Sequence, residues 1–208
     1  MDDKQIFPYR QYFNVCKQWG RNIDWSKNEY RHQFLHAAQH GNINLVKSLF
    51  HKRRIDPNID SNEAIIVASQ HGHIDVIHIL LDNIKFDPML LDIALEWASH
   101  YGHTDVVRVF LESHRTIPTA RLEAALSWAA NQGQSQVVQV LLEDGRADPS
   151  ALGNYALCAA SMKGHTDVVR WLLKDGRIDP MADGKRAIRL AAIEGYEDIV
   201  QLLEQYKI

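Results

Sequence analysis

With 208 residues, 46% of them apolar and 24% charged, the chain has the composition of an ordinary soluble globular sequence, long enough for one domain or two. A net charge of −3 gives no general electrostatic reason to bind nucleic acid or an anionic membrane. No apolar run approaches the roughly 18 residues of a membrane span, and the opening MDDKQIF lacks both the basic and the apolar region of a signal peptide.

Residues 1–25 carry Phe7, Tyr9, Tyr12, Phe13, Val15 and Trp19 on a mostly polar background. They read as a half-repeat whose aromatic side chains cover the open end of a stack, as the terminal unit of a solenoid requires. From residue 26 a repeat takes over. Turn glycines fall at Gly41, Gly72, Gly102, Gly133, Gly164 and Gly195, at spacings of 31, 30, 31, 31 and 31. An alanine stands four residues before each: Ala37, Ala68, Ala98, Ala129, Ala160 and Ala191. A proline follows each unit but the last, at Pro57, Pro88, Pro118, Pro149 and Pro180. Three marks sharing one period define six helix–turn–helix units, about 26–57, 58–88, 89–118, 119–149, 150–180 and 181–208.

Cys158 to Pro180 displays the design. Ala159 and Ala160 close a first helix on small side chains, Gly164 turns the chain, and Asp167 sits in the first turn of a second helix, where the dipole favours an anion. Val168, Val169, Leu172 and Leu173 form its apolar stripe; Asp175 and Gly176 end it. The first helix of each unit is expected to begin a few residues past the proline. In unit six Glu204 replaces the final apolar residue, so the array is expected to stop at residue 208 with nothing appended.

The pattern Ala-Ala-x-x-Gly-His, an acid, Val-Val, Leu-Leu and Gly-x-x-Asp-Pro resembles the ankyrin repeat, over about residues 26–208. Two departures stand out. Family repeats are usually about 33 residues, so a unit of 30–31 is short in the loop that forms the β-hairpin finger. The Thr-Pro-Leu-His tetrapeptide is also absent, with Ala64, Ala94, Ala125, Ala156 and Ala187 where its proline would stand. The resemblance implies an all-α, ankyrin-like solenoid with short turns in place of full hairpins, monomeric and without enzymatic activity, whose function is to bind a protein partner. The alternatives are an adaptor that delivers targets to a ubiquitin ligase, and a catalytic or metal-dependent activity within the groove.

Chemistry-bearing residues support no catalytic, cofactor or metal site. His73, His103 and His165 share one position after the turn glycine and stack rather than converge; His71 with His73 and His100 with His103 lack a third ligand. Cys16 and Cys158 show no metal spacing and read as reduced thiols of a protein of cytoplasm or nucleus, with Cys158 packed rather than activated. The basic run His51-Lys52-Arg53-Arg54 reads as a solvated connector, and Trp97 and Trp128 as core. The two positions between each alanine pair and its glycine vary without pattern, from Gln39-His40 to Ile193-Glu194. In the ankyrin family this position faces the concave surface where partners dock, so the resemblance makes Gln70, His71, His100, Tyr101, Asn131, Gln132, Met162 and Lys163 the candidate partner-binding residues.

Overall fold

The computed structural model describes residues 29–51, 60–113 and 117–206. Twelve α-helices and no strand occur among them: α1 (Glu29–Gln39), α2 (Ile43–His51), α3 (Asp60–Gln70), α4 (Ile74–Asn83), α5 (Pro88–Tyr101), α6 (Thr104–Glu112), α7 (Thr119–Asn131), α8 (Ser135–Asp144), α9 (Ala151–Lys163), α10 (Thr166–Asp175), α11 (Ala182–Glu194) and α12 (Glu197–Gln205). The predicted N-terminal cap, residues 1–25, lies outside the described residues, as do Lys52, Arg53 and Arg54 of the basic run.

Odd-numbered helices form one layer and even-numbered helices a second, and each odd helix packs on its successor two elements along and on its own hairpin partner. The odd layer is the tighter one, for a reason written in its side chains. Ala37, Ala68, Ala98, Ala129, Ala160 and Ala191 are fully buried, and Ala64, Ala94, Ala125, Ala156 and Ala187 nearly so. Small residues at both levels let neighbouring backbones approach. The even helices contribute the branched half of the core, Val76, Ile77 and Leu80 in α4 and Val168, Val169, Leu172 and Leu173 in α10.

Each turn closes in the same way. Gly102 takes φ 81° and ends α5, while the amide of His103 donates to Ala98 O at 2.9 Å, the six-residue bond of a Schellman cap. The same bond joins His73 to Ala68, Gln134 to Ala129, His165 to Ala160 and Tyr196 to Ala191, each at 2.9 Å. The repeat alanine therefore has two duties: its methyl packs the odd layer and its carbonyl ends the helix.

Helix entry is less uniform than expected. In α5 the proline is the first helical residue, because Asp87 caps it by accepting the Met89 amide at 2.9 Å and Pro88 has no N–H to leave unsatisfied. Helix α7 begins directly after Pro118. Helices α9 and α11 begin two residues past the proline, as the sequence suggests, and α9 opens with a left-handed turn at Leu152, Gly153 and Asn154. Lys185, at the position equivalent to Asn154, has φ 64°. Gly153 and Gly184 share a position that units three and four fill with Leu91 and Leu122, so the glycine accompanies the left-handed entry. Asn154 is the residue type that tolerates this backbone best, and its amide donates to Asp179 O at 3.2 Å.

Ala129→Leu should overpack α7 against α5 and α9 and cost roughly 1–3 kcal/mol. Urea unfolding of that variant with an unshifted midpoint would contradict the assigned register of the odd layer.

Candidate functional site

The structure gives four of the residues after a turn glycine an acceptor that the sequence did not identify. His73 Nε2 donates to Gln39 O at 2.8 Å, His103 Nε2 to Gln70 O at 2.9 Å and His165 Nε2 to Asn131 O at 3.1 Å. Gln134 performs the same task with its side-chain amide, on His100 O at 3.2 Å. A carbonyl can only accept, so each of these imidazoles carries its proton on Nε2. In reaching back, the side chain crosses the preceding turn glycine at very short range. A methyl group added at Gly133 would meet His165 Nδ1 at 2.7 Å, one at Gly72 would meet His103 Nδ1 at 2.5 Å, and one at Gly164 would meet the Tyr196 ring at 2.6 Å. These histidines do not cap their own helices, because their side chains are committed to the neighbouring unit.

Those acceptors lie in the candidate partner-binding positions. Gln70, His100 and Asn131 each contribute a main-chain carbonyl to the next unit, a task indifferent to side-chain type, which leaves the side chain free to differ between units. The side chains are placed as follows. His71 is exposed, donates from Nδ1 to Val67 O at 2.9 Å and stacks on His73 with centroids 6.1 Å apart. Gln70 Nε2 reaches Tyr101 Oη in the next unit at 3.5 Å, and Gln132 Nε2 donates to Asn131 Oδ1 at 3.1 Å. Gln132 and Lys163 are exposed, and Asn131 and Met162 half-buried.

Units three and four bring aromatic rings together here. Tyr101, 45% exposed, stacks on Trp97 at 5.7 Å between centroids, and the His100 ring stands edge-on to Trp97 at 6.1 Å, Tyr101 at 4.8 Å and Trp128 at 5.3 Å. Trp97 and Trp128 are half-buried rather than core, which corrects the sequence expectation. Their position, one residue before the buried alanine, is half-buried in other units too, at Val67 and Leu190. Cys158 is buried in α9, in accord with a packed thiol.

Beside this cluster lies a charged group that the sequence reading missed. Arg121 of α7 reaches Glu96 at 3.0 Å and Asp92 at 3.5 Å, both on α5 and one turn apart. Burial raises the Glu96 carboxyl to about 7 despite the pull of Arg121, and burial likewise raises Asp92. Burial lowers His100. The i, i+4 spacing of Asp92 and Glu96 was visible in the sequence; that both turn toward the neighbouring helix was not.

Among the described residues no group of three or more histidine, cysteine, aspartate or glutamate side chains is arranged to hold a metal ion, and no helix is long and apolar enough to cross a membrane. One open depression, of about 540 Å³, lies at the start of α6 and is lined by Gly102, His103, Asp105, Arg108 and Gln139.

Stacked helical hairpins, each tied to its predecessor across a left-handed glycine, define a helical-repeat solenoid. The family model for ankyrin repeats, described as three copies, matches residues 34–121 and 126–208, and the chain belongs to the ankyrin repeat family. Among solved structures it is similar to EF0377, an ankyrin repeat protein, at 26% identity and a TM-score of 0.67, over 84% of this chain and 98% of that one. No curated protein matches.

Two measurements follow. Gly133→Ala should destabilise by roughly 1–3 kcal/mol more than Gly176→Ala, since both glycines have positive φ but a methyl at Gly176 meets nothing within 4 Å. Combining Gly133→Ala with His165→Ala should reduce that excess to near zero; an excess that persists in the double variant would mean the ring is not its cause.

The second concerns pH. A carboxyl raised in the fold holds its proton where the unfolded chain has released it, so this contribution is full below the ordinary value of 4.5 and is lost as pH rises through about 7. Over that window the loss is bounded at about 3 kcal/mol. His100 opposes it, because a base lowered in the fold loses stability as pH falls below its ordinary value of 6.5. Glu96→Gln should therefore gain stability relative to the parent protein between pH 5 and pH 8. Parallel denaturation curves at both pH values would exclude a neutral Glu96.

Proposed function

We propose that the chain is a non-catalytic binding module that takes a protein partner on the exposed C-terminal ends of its odd helices, at Gln70, His71, His100, Tyr101, Asn131, Gln132, Met162 and Lys163. Ankyrin repeats are in general protein–protein interaction modules, and that general role is the ground on which the finer reading stands. The observation that carries it is the aromatic group of Trp97, His100, Tyr101 and Trp128, in which Tyr101 is exposed and the other three are half-buried. Partly exposed tryptophan and tyrosine side chains are among those in which interface energy concentrates. Arg121 and the Glu96 and Asp92 carboxyls beneath hold α5 and α7 together, so the group enters an interface already ordered.

Affinity capture from native cells, with mass spectrometry of the bound fraction, tests the reading. His71→Ala, Tyr101→Ala and Lys163→Ala combined should abolish specific capture while helicity and melting temperature hold, because all three side chains are exposed and such substitutions usually shift stability by less than about 0.5 kcal/mol. Normal capture by the triple variant would move the binding surface elsewhere.

A further inference from the structure

Three exposed histidines follow at intervals of four, His32 and His36 on α1 and His40 in the turn directly after it. The His36 and His40 rings lie 4.1 Å apart between centroids and within 24° of parallel; His32 and His36 are further apart, at 6.4 Å. His40 Nδ1 meets His36 O at 2.9 Å. Since the carbonyl must accept, Nδ1 bears the proton and the Nε2 lone pair is left free. A ring nitrogen proton donated to a main-chain carbonyl is the arrangement that orients a metal-ligating imidazole and raises its basicity. His73, His103 and His165 are in the opposite state, with Nε2 spent on the preceding unit. His71 shares the tautomer of His40, but its stacked neighbour His73 has its Nε2 so engaged.

We propose that His36 and His40 form a two-imidazole chelate for a borderline divalent transition-metal ion, Cu²⁺ in preference to Ni²⁺ or Zn²⁺. Residues four apart on a helix are neighbours, which is the spacing by which two helical histidines bind one ion. The order of preference is that of divalent ions at nitrogen ligands generally. Near-parallel rings must turn slightly for both in-plane lone pairs to meet one ion; the torsion to an imidazole ring is broad and both residues are exposed, so little opposes the turn. With two protein ligands the remaining positions belong to water, and binding is exchangeable rather than structural. Chelation across one turn also clamps α1.

Titrating the full chain with Cu²⁺ at neutral pH, followed by electron paramagnetic resonance, tests this. His36→Gln and His40→Gln should each weaken the tightest Cu²⁺ site at least about tenfold, on the scale of losses at metal-supporting residues. His32→Gln, His71→Gln and His103→Gln should leave it within about twofold. Undiminished Cu²⁺ affinity in the His36→Gln/His40→Gln double variant, or equal weakening by His71→Gln, overturns the assignment. The unmodified chain supplies an arm independent of any variant's folding. Cu²⁺ should protect His36 and His40 from diethyl pyrocarbonate, read by peptide mass; equal modification with and without Cu²⁺ also overturns it.

Discussion

In this solenoid a side-chain donor of one unit reaches the main-chain carbonyl of the unit before it, over a glycine that has no β-carbon. His73, His103, Gln134 and His165 make this contact, and the Tyr196 ring covers Gly164 in the same manner. The glycine is fixed by a φ of 66–81° at the six turns, and at Gly41, Gly72, Gly133 and Gly164 also by a ring lying where a methyl would go, with the Gln134 amide in that place at Gly102. The alanine is fixed by the helix against its methyl. One hydrogen bond contributes only about 0.5–1.5 kcal/mol net. The steric demand that comes with it is larger, and it sets the period of the sequence.

These ties have a direction. Arg146 of unit four donates to Leu111 O of unit three, Arg177 of unit five to Gly145 O and Ala147 O of unit four, and Tyr206 of unit six to Leu173 O of unit five. Both arginines are held by an aspartate two residues earlier, Asp144 and Asp175, which aims the guanidinium at the predecessor. Units four and five are thereby bound to the previous hairpin at two levels, through donors on the later unit and carbonyls on the earlier. These ties need the predecessor's backbone in place, but no particular side chain there.

That asymmetry explains what was legible in the sequence. Gly133, Ala129 and Val137 could be read because a positive φ, a close helix contact and a buried stripe each admit few residue types. The position of His165 was recognised as structural from its register alone, but its acceptor, Asn131 O, is a backbone atom 34 residues away and leaves no trace in side-chain identity. Trp97 and Trp128 were misjudged because burial was inferred from the apolar residues at the same position of other units, Val67 and Leu190, and these are half-buried as well. Pro88 as the first residue of α5 was obscured by averaging over units, since α5 and α7 enter at the proline while α9 enters through a left-handed turn. Arg121 was missed because its partners on α5 lie in another unit and outside the repeated positions.

Scaffold and recognition are therefore chemically separable along most of this chain. Where Gln39 and Asn131 contribute a carbonyl to the stack, their side chains can change without loosening that tie, and a new partner can be accommodated by surface substitution. The junctions of α1 with α3 and of α5 with α7 differ. Arg31 pairs with Glu63 at 3.0 Å across the first, and Arg121 pairs with Glu96 and Asp92 across the second, so side chains on both sides couple the units. Removing one partner of such a group leaves a buried charge uncompensated, a cost of about 3–5 kcal/mol where burial is complete. The aromatic surface at the second junction cannot drift as the other units can. The same rigidity that restricts its sequence keeps its rings in place before a partner arrives.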